Sequence, residues 1–136
     1  MIVADTNLLI YLYIKGQRTA QAEAVLQKDP VWTGPLLWRS EFRNTLIGLV
    51  RNHGLRLDHV IGIVEEAEHL MAGREYSVVS HRVMNLAAQS ACSAYDCEFV
   101  SLAQDLGVTL VTADRQVLRT FPDVAITPEN FLEEKI

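Results

Sequence analysis

Apolar, β-favouring runs alternate along this chain with longer segments of helical periodicity. The runs are Ile2 to Ala4, Val31 to Thr33, Tyr76 to Val79, Thr109 to Thr112 and Val124 to Ile126. Between them, helical patterns cover Asn7 to Lys15, Thr19 to Lys28, Leu36 to His53, Asp58 to Ala72, His81 to Cys92 and Ala94 to Leu106. Asp29-Pro30 and Gly34-Pro35 bracket the second run, and Gly54 and Gly107 stand where helix C-termini are expected. Strands separated by helices predict a parallel sheet covered on both faces, a three-layer α/β/α domain spanning residues 1–136. Right-handed crossovers with one reversal of winding give five strands in the order 3-2-1-4-5, with the first and fourth adjacent at the switch point.

Four acids depart from this pattern. Asp5 and Asp114 each end an apolar run, on the two strands that the order makes neighbours. At about 100° per residue, Asp96 falls inside the apolar arc of its helix, among Phe99, Val100 and Ala103. Glu98 and Asp105 fall on the opposite, solvated side. Glu41 sits at the edge of the stripe formed by Trp38, Phe42, Leu46, Leu49 and Val50. Each acid also has a plainer reading: Asp5 and Asp114 as helix caps, Asp96 as a first-turn acid behind Ser93, Glu41 as a boundary residue paired with an arginine. Gly48, in the middle of the same helix as Glu41, costs about 1 kcal/mol relative to Ala, which close approach of another backbone would explain.

Convergence of the four changes the chemistry expected. A like-charged pair about 4 Å apart costs about 4 kcal/mol at an effective dielectric of about 20. Mg²⁺ or Mn²⁺, hard cations that prefer oxygen ligands, would relieve that repulsion and bring a phosphate and a water together. Acids without a histidine or cysteine partner therefore point to phosphodiester hydrolysis rather than acyl transfer.

Composition narrows the class without changing this picture. The 136 residues are 49% hydrophobic and 21% charged, ordinary for a globular protein. No stretch approaches the roughly 20 apolar residues of a membrane span, so no membrane role and a cytoplasmic location are expected. A net charge of −5 argues against a general nucleic-acid-coating role. Neither Cys92 and Cys97 nor the scattered histidines have zinc-ligand spacing, and two reduced thiols are expected.

Asp5-Thr6-Asn7, Ser40-Glu41, Tyr95-Asp96 and Thr112-Ala113-Asp114-Arg115, in this order along the chain, resemble the PIN domain, and most closely the VapC-type ribonuclease toxins of toxin–antitoxin pairs. The resemblance implies a Mg²⁺- or Mn²⁺-dependent endoribonuclease with Asp5, Glu41, Asp96 and Asp114 as its metal-binding, catalytic acids. It makes Thr6, Asn7 and Thr112 polar supports that orient them. It implies an RNA substrate, a VapB-like antitoxin partner and a homodimer. Arg115, Arg39 and Arg43 become candidates for RNA-backbone contact, with solvated faces as the alternative. Tyr11, Tyr13 and Trp38 are candidates for a partner groove or for ordinary core. A PIN-like module without catalysis is the competing reading. A phosphoacceptor signalling domain lacks its acid at Val79-Ser80 and its lysine at Thr127-Pro128.

Overall fold

A computed structural model describes residues 1–134. Its sheet is built from β1 (Ile2–Ala4), β2 (Trp32–Pro35), β3 (Glu75–Tyr76), β4 (Leu110–Val111) and β5 (Ala125–Ile126). All pairings are parallel and the order is β3-β2-β1-β4-β5, as the alternation of elements predicts. Val3 pairs with Leu110 and Ala4 with Val111, so β1 and β4 end side by side. Every residue of β1 is buried, as a central parallel strand requires.

Around the sheet pack α1 (Thr6–Tyr13), α2 (Thr19–Lys28), α3 (Leu37–His53), α4 (Leu57–Leu70), α5 (Ser80–Ala88), α6 (Ala94–Leu106), α7 (Arg115–Thr120) and α8 (Pro128–Glu133). Helix α3 lays Trp38, Phe42 and Leu46 into the core, with the Trp38 and Phe42 rings edge to face at 5.5 Å. Helix α6 buries Phe99, Val100, Leu102 and Ala103. Gly54 and Gly107 end α3 and α6 at φ of 70° and 65°, a left-handed geometry that other residues adopt only with strain. Among the described residues no helix is long and apolar enough to cross a membrane.

Several boundaries differ from expectation. Gly34 and Pro35 do not stop β2 but pair with Glu75 and Tyr76, and β3 is correspondingly earlier and shorter than Tyr76 to Val79. Helix α5 ends at Ala88 rather than Cys92. There Ser90 turns the chain, donating to the Leu86 carbonyl and accepting from the Cys92 N–H. Helix α8 follows β5 directly, capped by Thr127, whose Oγ1 accepts the Asn130 N–H at 3.0 Å. Gly48 meets nothing within 4 Å of an added Cβ, so close backbone approach does not explain it.

Candidate active site

The carboxyl edge of β1 and β4 opens into a cleft of about 400 Å³ lined by Asp5, Thr6, Asn7, Ile10, Tyr11, Glu41, Thr45, Asp96 and Asp114. All four acids singled out in the sequence therefore reach one cavity. A larger cavity of about 690 Å³, between the end of α1 and α4, contains none of them.

Each acid is held by a local device. Asp5 caps α1, its Oδ1 accepting the Thr6 N–H at 2.7 Å. Its Oδ2 accepts the Thr112 hydroxyl at 2.5 Å and the Asn7 amide at 3.3 Å. Thr6 donates its hydroxyl to Glu41 Oε1 at 2.8 Å, tying α1 to α3. Thr112 also accepts the Asp114 N–H at 3.0 Å. Asp114 caps α7 through Oδ1, which accepts the Gln116 and Val117 N–H groups. Asp96 stands in the first turn of α6, where Ser93 Oγ accepts its N–H at 3.0 Å. Capping and facing the cleft are thus compatible, and Asp5 and Asp114 do both.

The electrostatics follow from burial and from like charge. Burial raises the Asp5 carboxyl from 3.8 to about 6, against the hydrogen bonds of Thr112 and Thr6 and with the charges of Glu41 and Asp96 adding to it. Burial likewise pushes Glu41 up, opposed by Thr6 and reinforced by Asp96. Asp96 is raised by burial and by Asp114, against hydrogen bonds from Ser93. None of the four pairs with a lysine or arginine among the described residues.

Fit to a divalent cation can be tested on these groups. The donors are all oxygens, the set a hard ion prefers, and Asn7 Oδ1 is buried beside them with no hydrogen-bond partner. Among the described residues no three acidic, histidine or cysteine side chains lie close enough together to form a ligand set as they stand. The residues fit an oxygen-ligated ion.

The other sequence candidates separate. Thr6, Asn7 and Thr112 all touch the acids, and Arg115 is exposed beside Asp114. Arg39 and Arg43 line no part of the cleft. Arg39 makes a two-pronged pair with Glu75, Nε at 2.6 Å and Nη2 at 2.7 Å, and Arg43 lies 3.5 Å from Glu68. Arg39 is engaged by Glu75, a pair that no local pattern announces because Glu75 is distant in sequence. Trp38 is core, Tyr13 belongs to the larger cavity, and Tyr11 lines the acidic cleft.

The wheel of α6 places Glu98 on the solvated side, yet it is half-buried beside Val78, Ser80, Val83 and Met84. Burial and the Glu41 charge both raise its carboxyl. A helical wheel for α6 alone cannot register that α5 covers this side.

A doubly wound sheet with β1 and β4 adjacent, and a cleft of four acids at their carboxyl ends, defines the PIN-domain class of α/β proteins. Over 131 residues, 93% of this chain and 98% of the relative, the sequence is 31% identical to ribonuclease VapC3 of Pyrobaculum aerophilum, and the chain belongs to the VapC family of PIN-domain proteins. No family model matches it. Its fold is that of PAE2754 from Pyrobaculum aerophilum, with a TM-score of 0.76 at 21% identity over 97% of this chain and 92% of that one. FitAcB from Neisseria gonorrhoeae gives 0.72 at 19% identity, covering 95% of this chain and 99% of that one. A toxin–antitoxin complex from Klebsiella pneumoniae gives 0.67 at 19%, covering 94% and 98%.

Proposed function

We propose that this protein is a Mg²⁺- or Mn²⁺-dependent endoribonuclease and the toxin of a toxin–antitoxin pair. One observation carries the reading: four carboxylates line one cleft, and among the described residues no lysine or arginine pairs with them. The ribonuclease name of the 31%-identical relative supports the RNA substrate, and the toxin–antitoxin complex among the structural neighbours supports an antitoxin partner. The net charge of −5 suits a basic partner segment. A second copy of the chain is expected from the family.

Asp5, Glu41, Asp96 and Asp114 are the residues that would hold the ion. When bound, the ion supplies positive charge to the scissile phosphate and lowers the pKa of an attacking water. Asp5 is fixed by three hydrogen bonds, so its orientation is set before substrate arrives. Thr6 does the same for Glu41 and Thr112 for Asp5, each a support at second remove from the phosphate. Asp114 commits Oδ1 to capping and leaves Oδ2 without a hydrogen-bond partner among the described residues. No side chain needs to act as a covalent nucleophile.

The test is cleavage of a single-stranded RNA by purified protein, with Mg²⁺ and with chelator. Cleavage is expected only with the ion, and Asp96→Asn is expected to abolish it while leaving the circular dichroism spectrum unchanged. Normal turnover by Asp96→Asn would sink the assignment.

A further inference from the structure

An acidic cleft on a protein of net charge −5 must still attract a polyanion. Four arginines are engaged in ion pairs: Arg39 and Arg43 by Glu75 and Glu68, Arg56 by Asp58, Arg82 by Asp105. Arg18 is different. It makes no ion pair among the described residues and is exposed at the start of α2. Its guanidinium lies over the Tyr11 ring, 5.1 Å from the centroid, and its Nη1 lies 3.4 Å from the Tyr11 hydroxyl. Tyr11 is itself a wall of the acidic cleft.

The loop that carries Arg18 is tied down rather than loose. Thr19 Oγ1 donates to the Tyr11 carbonyl at 2.7 Å and accepts the Gly16 N–H at 3.0 Å. A guanidinium stacked on an aromatic face keeps its remaining N–H groups in one plane, the geometry that suits a phosphate. The acid that shares its field is Glu129 on α8, whose carboxyl is lowered chiefly by hydrogen bonds and only in small part by Arg18.

We propose that Arg18, stacked on Tyr11, is a substrate-binding residue that contacts a backbone phosphate of single-stranded RNA beside the scissile bond. The proposal rests on the ribonuclease reading of the same cleft. Its test is the salt dependence of kcat/KM for a short single-stranded RNA, measured for wild type, Arg18→Ala and Arg18→Lys. Removing one phosphate contact flattens the slope of log kcat/KM against log salt by about 0.7 and lowers kcat/KM about fivefold near 0.1 M salt. The loss is expected in KM, with the melting temperature unchanged and the slope restored by Arg18→Lys.

A wild-type slope in Arg18→Ala, with wild-type protein cleaving, overturns this proposal and leaves the ribonuclease reading standing. So does an Arg18→Ala protein that cleaves normally but escapes neutralisation by a co-expressed antitoxin, which would assign Arg18 to the protein partner. A wild-type protein that cleaves no RNA overturns both.

Discussion

Two groups of carboxylates lie on opposite sides of α3, and they differ in company. On one side Glu41 joins Asp5, Asp96 and Asp114 around a cleft lined by no lysine or arginine among the described residues, and burial raises Asp5, Glu41 and Asp96. On the other, Glu68 and Glu75 meet Arg39 and Arg43. Glu75, also reached by the Trp38 indole N–H at 2.8 Å, is held below the ordinary carboxylate range chiefly by the Arg39 hydrogen bonds. Arginines two residues either side of Glu41 turn away from it, because a two-residue step on a helix is about 200°. Both arginines of this stretch of α3 are kept out of the cleft. The matched cluster fastens α3 to β3; the unmatched one leaves a demand for positive charge that a bound ion would meet.

The comparison breaks most visibly at activity. Asp5→Asn is expected to bring RNA cleavage to background, whereas Glu75→Gln is expected to retain most of it, measured on the same RNA with saturating Mg²⁺. Equal losses in both would erase the distinction between the two groups.

Stability should move the other way. Asp5 holds its proton more tightly folded than unfolded, so its contribution is most favourable below 3.8 and declines as pH rises to about 6. The difference amounts to about 3 kcal/mol near neutral pH. Asp5→Asn should therefore raise the ion-free protein's stability above pH 6 and flatten its pH slope, read by urea denaturation across pH 4 to 8. Glu75 has the opposite sign: its stabilisation is present above 4.5 and is lost as pH falls through its lowered value. Glu75→Gln, which weakens a largely buried charged hydrogen-bond cluster, should cost about 2 kcal/mol. The smallest effect is expected at Gly48→Ala, where open space and helix propensity favour a gain of up to about 1 kcal/mol.

Much of the cleft was legible in the sequence because its signals are local. An acid ending an apolar run marks a strand's carboxyl end, and the alternation of elements makes β1 and β4 neighbours, so the sequence itself pairs Asp5 with Asp114. Asp96 betrayed itself by sitting on an apolar arc. What stayed hidden depends on distant partners: Arg39 on Glu75, Glu98 on the α5 side chains that cover it, Arg18 on the Tyr11 ring it overlies. The β2 and β3 limits were hidden for a similar reason. Gly34-Pro35 reads locally as punctuation, and only pairing with Glu75 and Tyr76 makes it strand.

The central claim is that the unmatched acids bind a divalent cation. Isothermal titration calorimetry with Mn²⁺ near neutral pH, on wild type, Asp96→Asn and Glu75→Gln, tests it most directly. Saturable binding by wild type and Glu75→Gln, lost in Asp96→Asn, is the expected result. No heat of binding from folded wild-type protein at millimolar Mn²⁺, or equal binding by Asp96→Asn, would contradict it.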